Sequence, residues 1–191
     1  NEAGFSRTGA SNVAVGADAM FGGANAVNSG DSNTAVGNVA GAYFQGDYAV
    51  AVGAQAGRYA SGSYNSFMGY QAGRGGTTSA PFSSGENNVA IGYQAFDAFT
   101  TGYYNTVVGK SAGTSITTGF SNVYLGYNAG YRGTTGRGNV AVGSAAQFGV
   151  STQTTGQYNV SLGENSLFGL TTGNHNFAVG SNAGYSLTSG E

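Results

Sequence analysis

The residue types that most often carry enzymatic chemistry are sparse in this chain and share no catalytic spacing. It has one histidine, His175, and no cysteine. Its eight carboxylates are Glu2, Asp18, Asp31, Asp47, Glu86, Asp97, Glu164 and Glu191. They are scattered, without the close pairing that general acid–base catalysis requires. The recurrent Gly-x-x-Asn also lacks the Lys-Ser/Thr of a phosphate-binding loop. We therefore expect no catalysis, no metal site and no cofactor.

Composition excludes two further classes of partner. The chain has 191 residues, of which 36 are glycine and 7% are charged, and its net charge is −2. Six Lys and Arg residues cannot form the basic surface that nucleic-acid binding needs. The apolar runs are about five residues long, too short to span a membrane. The apolar residues recur at fixed positions, which argues against disorder despite the high glycine content.

A short motif recurs along the whole chain: Gly-x-x-Asn, a small apolar run that ends in glycine, and then x-x-Ala. The segment 85–95, GENNVAIGYQA, is a clear copy. The glycine that ends each apolar run is called here the closing glycine. The closing glycines are Gly16, Gly37, Gly53, Gly69, Gly92, Gly109, Gly126, Gly143, Gly163 and Gly180. Such a fixed short period predicts a β-solenoid, in which each copy forms one coil stacked on the next.

Each apolar run predicts a short strand with two different faces. In Val89-Ala90-Ile91, alternation places the two bulky residues on one face and the alanine on the other. We expect the bulky row to fill the coil interior and the alanine row to face outward. Glycines suit the corners, and stacked asparagines can form a ladder along the rod. A coil of this size encloses few side chains, so we expect three copies to bundle through the small-residue face as a homotrimer. A monomeric solenoid is the alternative.

We expect one repeat domain, residues 1–191, which is a fragment of a longer fibre protein because the chain starts and stops inside repeats. Three wider spacings indicate insertions near 20–29, 74–84 and 147–155, and binding concentrates in such loops. Aromatic and arginine side chains there suit recognition of a glycan or a protein. The predicted ligand-binding residues are Arg74, Phe82, Phe148 and Phe21. The alternative is that these phenylalanines pack beneath their own loops or across the trimer seam.

Two other rows of residues allow further interpretations. Tyr is frequent on both sides of the apolar runs, where it could stack on sugars or pack against a neighbouring chain. Thr pairs such as Thr117-Thr118 and Thr134-Thr135 recur before the Gly-x-x-Asn, which is compatible with an ice-binding surface. His175 occupies a position that other copies fill with Tyr or Ser, which indicates a surface substitution.

Three copies of the motif carry a family resemblance: Asn87-Asn88-Val89-Ala90-Ile91-Gly92, Ser11-Asn12-Val13-Ala14-Val15-Gly16 and Gly138-Asn139-Val140-Ala141-Val142-Gly143. They resemble the head repeats of YadA-type trimeric autotransporter adhesins. Similar Thr-Gly-x-x-Asn arrays occur in phage tail-fibre-like proteins and in fibre adhesins of predatory bacteria. The resemblance implies a left-handed parallel β-roll with three chains side by side. It also implies an extracellular location, on a cell surface or a virion tail fibre, and recognition of a cell-surface ligand. A purely structural spacer is the alternative.

Overall fold

The computed structural model describes residues 9–22, 29–79, 82–150 and 154–190. Within these ranges the chain forms ten three-residue strands and no helix. Each strand ends at the residue before a closing glycine. The strands are β1 (Val13–Val15), β2 (Thr34–Val36), β3 (Val50–Val52), β4 (Ser66–Met68), β5 (Val89–Ile91), β6 (Thr106–Val108), β7 (Val123–Leu125), β8 (Val140–Val142), β9 (Val160–Leu162) and β10 (Phe177–Val179).

All ten strands belong to one sheet and follow one another in chain order. Every neighbouring pair is parallel and in the same register, so that Ala90 of β5 pairs with Val107 of β6. The described chain is therefore a parallel β-solenoid of about nine turns, as the repeat predicts. With about 4.8 Å between strands, the sheet is about 43 Å long.

The solenoid interior takes the middle residue of each strand, and our expectation about the two faces was wrong. Ala51 and Ala90 are fully buried, whereas Met68 and Ile91 are 52% and 40% exposed. The bulky first and third residues of the strands therefore point outward. A coil of 16 or 17 residues leaves so little space across its interior that a row of alanines fits it better than a double row of branched side chains.

A compensating pattern of large and small residues shows how narrow the interior is. Tyr124, the middle residue of β7, is fully buried, and the residue four after that coil's closing glycine is Gly130. A Cβ at Gly130 would overlap the ring of Tyr124. In the coil of β5 the large and small residues are exchanged. The middle residue of the strand is Ala90, and the residue four after the closing glycine is the buried Phe96.

The repeated asparagines form a hydrogen-bonded ladder inside the rod, as predicted. The Oδ1 of Asn105 accepts hydrogen bonds from the backbone N–H and the Nδ2 of Asn122, at 3.1 and 3.0 Å. The Nδ2 of Asn105 donates to the carbonyl of Gly119 at 2.9 Å. The pattern repeats along the chain and pairs buried backbone groups that the corners leave outside the sheet. Ala49 is the one copy without the side chain, and its N–H still donates to Oδ1 of Asn33 at 2.7 Å.

Two features of the structure require glycine at the closing position: the backbone conformation there and the close approach of the next coil. Gly109 has a φ of 135°, which side-chain-bearing residues rarely adopt. A Cβ there would overlap the carbonyl oxygen of Gly126 in the next coil. The glycine thus turns the chain directly after the strand while the coils stay in contact.

Candidate functional site

The outward side of the sheet is a largely apolar surface, interrupted by Thr34, Ser66 and Thr106 and called here the strand face. It consists of the first and third side chains of every strand. Several are more than a third exposed: Val13, Val15, Val36, Val50, Met68, Ile91, Phe177 and Val179. The remaining apolar members, in β3 and from β5 to β9, are half-buried. No charged residue stands within any of the ten strands.

Tyrosines flank the strand face on both sides. Tyr48 and Tyr64 stand two residues before their strands, and their rings stack with centroids 5.4 Å apart. On the other side, Tyr70 and Tyr93 follow their closing glycines and stack at 5.3 Å. The strand face and its tyrosines therefore form a broad apolar and aromatic surface along about 43 Å of the rod. Soluble monomers rarely expose contiguous apolar surface on this scale, so the strand face has the character of a contact surface.

The predicted ligand-binding residues lie along one corner of the solenoid. Phe21, Arg74 and Phe148 each stand five residues after a closing glycine, a position called here the corner column. Backbone hydrogen bonds align this column from coil to coil, for example from the N–H of Tyr59 to the carbonyl of Arg74 at 2.7 Å. The three residues are separated by three and four coils, so the structure places them on one edge of the rod and does not gather them into one pocket.

Arg74 is engaged within the chain. Its Nε lies 2.9 Å from Oδ1 of Asp97, which is in the corner column of the next coil. Its Nη2 donates to Oδ2 at 3.0 Å. Burial raises the pKa of the Asp97 carboxyl above its ordinary value of 3.8, and the Arg74 guanidinium offsets part of that rise. The ion pair and the charged hydrogen bond together hold Arg74 in a fixed orientation.

Phe82 packs against its own corner. It is 8% exposed, and its ring stacks on Tyr43 with centroids 4.6 Å apart and on Tyr59 at 6.2 Å. The neighbouring backbone is anchored as well, because Ser83 N–H donates to the carbonyl of Tyr59 at 3.0 Å. The structure thus packs Phe82 against rings of the two preceding coils, and not beneath its own loop as the alternative supposed. Its contact with a ligand stays a prediction.

Phe148 belongs to a four-ring stack in the corner column. Its ring lies 5.1 Å from that of Tyr131 and 5.0 Å from that of Phe168, with 4° between the planes in both cases. Phe168 in turn stacks on Tyr185 at 4.9 Å. Because the ring faces cover one another, the stack presents mainly ring edges to solvent. Tyr185 is 45% exposed.

The structure adds Arg58 to this corner, a residue that our interpretation of the insertions did not select. It stands in the corner column one coil before Arg74, and its guanidinium lies 4.8 Å from the ring centroid of Tyr59. Its Nε is buried without a hydrogen-bond partner. The shared spacing of Arg58 and Arg74 from their closing glycines was the sequence signal that could have identified it.

The two threonines of each pair have different roles. The first hydroxyl of a pair donates along the rod, as from Thr100 to the carbonyl of Thr117 at 3.1 Å and from Thr117 to that of Thr134 at 3.2 Å. The second threonine is exposed. This exposed file consists of Thr101, Thr118, Thr135, Thr155 and Thr172. His175 is also exposed and stacks on Tyr158 at 5.4 Å.

Comparisons with known proteins returned no match among family models, curated proteins or solved structures. Within the described ranges, no three His, Cys, Asp or Glu side chains are grouped so that they could hold a metal ion. The same ranges contain no helix with the length and apolarity needed to cross a membrane.

Proposed function

We propose that this chain is a segment of an extracellular fibre adhesin, on a cell surface or a virion tail fibre. In this proposal three copies of a left-handed β-roll pack side by side, and the assembly recognises a cell-surface glycan or protein or displays a binding tip. The role is one of binding and display and not of catalysis. The resemblance of the repeats to YadA-like heads and to phage tail-fibre-like proteins supports the proposal.

The observation that carries the proposal is the exposed strand face. An apolar row that runs the length of a ten-stranded sheet becomes stable in water when another surface covers it. Three identical rods can cover their strand faces mutually around a threefold axis, which closes the assembly without leaving a free face. The seam is then formed by the bulky residues and not by the alanine row that we first expected.

Sedimentation equilibrium at micromolar concentration tests the assembly. The wild-type chain is expected at three times its 19.0 kDa. A variant with Ile91→Lys and Val108→Lys places charges in the seam and is expected to sediment as a monomer with unchanged strand content. Thr118→Lys, at an exposed position off the strand face, is the matched control and should leave the trimer intact. A wild-type monomer, or a double variant that remains trimeric, would contradict this seam.

Binding to whole cells and to a glycan array tests the recognition role. Phe148→Ala and Phe82→Ala alter the corner that carries the predicted ligand residues, and each should reduce binding if the corner makes the contact. Phe120→Ala removes a comparable stacked ring elsewhere on the rod and serves as the control. Each variant is first checked for an unchanged trimer. Binding that survives both corner variants would exclude the corner as the contact, and a wild-type chain that binds neither cells nor glycans would assign the segment to spacing or display.

The exposed threonine file favours one other candidate, an ice-binding solenoid. Its members repeat once per coil, at about the 4.8 Å spacing of the strands. An ice-recrystallisation assay distinguishes the candidates, because an adhesin segment should not slow crystal growth. Inhibition by the wild type that is lost in Thr118→Lys would support ice binding in place of adhesion.

A further inference from the structure

Exposed tyrosine rings of neighbouring coils lie face to face at two places. Tyr48 and Tyr64 have centroids 5.4 Å apart and planes 11° apart, and they are 56% and 55% exposed. Tyr70 and Tyr93 have centroids 5.3 Å apart and planes 19° apart, with exposures of 42% and 47%. Within each pair, both rings are thus nearly parallel, close together and exposed on the surface of the single chain.

The backbone keeps each pair aligned. Tyr64 N–H donates to the carbonyl of Asp47, the residue before Tyr48, at 2.9 Å. In the other pair, the N–H of Gln94, the residue after Tyr93, donates to the carbonyl of Tyr70 at 2.9 Å. Both members occupy the same position on adjacent parallel coils, so that one ring lies over the other. Bond formation between ring carbons requires the rings to turn from face-to-face to edge-to-edge contact, and their exposure leaves room for that turn.

We propose that Tyr48–Tyr64 and Tyr70–Tyr93 are sites of oxidative coupling, where a peroxidase-type oxidant forms dityrosine. Each phenol loses one electron and one proton to give a phenoxyl radical. The two radicals join through a carbon–carbon bond between their ortho positions. The hydrogen on each bonded carbon then moves to the phenolic oxygen and restores the aromatic ring. The two hydrogen atoms removed reduce one hydrogen peroxide to two waters.

The two bonds would fasten three successive coils together. The first joins residues 16 apart in sequence and the second joins residues 23 apart, the same separations that neighbouring hydrogen bonds between these coils span. A covalent bond between coils restricts the unfolded chain, as a disulfide does. The chain has no cysteine, so it has no disulfide of its own. Coupling would stabilise the rod where its longest insertion interrupts the repeat, and this inference does not depend on the proposed adhesin role.

The structure supplies its own negative control and a way to create a third site. Tyr103 and Phe120 stack even more closely, with centroids 4.8 Å apart and planes 4° apart. Phenylalanine has no phenolic hydrogen to lose, so this pair should not couple in the wild type. Phe120→Tyr keeps the geometry and supplies the missing hydroxyl. This variant is expected to form an additional bond between Tyr103 and the introduced phenol.

The experiment treats the full chain with peroxidase and hydrogen peroxide, isolates the monomer band from a denaturing gel and maps its crosslinked peptides by mass spectrometry. The expected products are the two named peptide pairs, each lighter by two hydrogens, together with blue dityrosine fluorescence and a higher melting temperature. Tyr48→Phe should abolish the first pair and leave the second. Either of two results would overturn the proposal: absence of both pairs from the monomer band, or coupling no more frequent at these pairs than at the exposed Tyr127.

Discussion

At the scale of single residues, the corners impose conformations that few side chains tolerate. The residue two after every closing glycine lies in the left-handed region, with φ between 52° and 59°. Asn128 and Asn182 suit this region, because asparagine is one of the few residues that enter it readily. Val39 occupies the same position with φ 57°, although a β-branched side chain is strained there.

Replacing Val39 with asparagine should therefore stabilise the chain. We expect Val39→Asn to raise the free energy of unfolding by about 1 kcal/mol through relief of that strain. Thermal denaturation followed by circular dichroism measures the change. Val150→Asn, at an exposed valine outside the left-handed positions, is the control and should have little effect. A loss of stability in Val39→Asn would show that the strain is absent.

The Arg74–Asp97 pair predicts a pH dependence. Burial raises the pKa of Asp97 above 3.8, which means that the folded state holds this proton more tightly than the unfolded state does. The contribution of Asp97 is therefore greatest below pH 3.8 and declines as the pH rises through the raised pKa. Relative to Asp97→Asn, which does not titrate there, the wild type should lose stability between acid and neutral pH. Melting curves of both proteins over this range measure the difference, and a relative gain would reverse the sign.

At the scale of repeated elements, the asparagine ladder holds the coils in register as much as the sheet does. Asn105 is 1% exposed and bonds to both neighbouring coils. Asn105→Ala should leave several buried polar groups without partners and lower the free energy of unfolding by about 3 kcal/mol or more, since each such group costs about 1–3 kcal/mol. Asn38→Ala, at an exposed position outside the left-handed region, is the matched control. Equal denaturation midpoints for the two variants would contradict a structural role of the ladder.

The exchange of large and small residues inside each coil predicts that a second substitution can restore stability that a first one removes. Tyr124→Ala alone should cost about 3–5 kcal/mol, because it empties the centre of its coil. Adding Gly130→Leu should recover part of that loss, since Leu167 fills the same position in its own coil at φ 50°. Gly130→Leu without the first change should destabilise through overlap with the tyrosine ring. Chemical denaturation of the three variants measures the effect, and additive losses would refute the compensation.

These packing rules explain how much of the fold the sequence could reveal. The positions of the strands followed from the closing glycines, because glycine alone permits the turn that ends each strand. The direction of the side chains did not follow, since a three-residue strand alternates equally well with either face inward. The informative signal was the pairing of a large middle residue with a glycine further along the coil, as for Tyr124 and Gly130.

The candidate site was predictable only in part, for a related reason. The equal spacing of Phe21, Arg74 and Phe148 from their closing glycines is a sequence signal that could have placed them on one edge, although we selected them only as residues of the insertions. The pairing of Arg74 with Asp97 and the burial of Phe82 arise from contacts between coils and from the conformation of an insertion. Neither is fixed by the position of a residue within its own repeat.

At the scale of the whole molecule, the exposed strand face is the feature that most needs a partner. A single coil buries few large side chains, so the rod gains little stability from its own interior. Covering the strand face in a trimer would add apolar burial along the entire length of the sheet. Assembly would therefore be part of what stabilises the rod, and monomers should unfold more readily than trimers.

The two methionines of the chain offer the most direct test of this assembly. Met20 is 1% exposed, inside the rod, and Met68 is 52% exposed on the strand face. Oxidation by hydrogen peroxide follows the exposure of the sulfur. In the proposed trimer both methionines should resist oxidation, and Met68 alone should become reactive when Ile91→Lys and Val108→Lys separate the chains. Rapid oxidation of Met68 in the wild-type protein would show that the strand face stands open to water and would contradict the proposed seam.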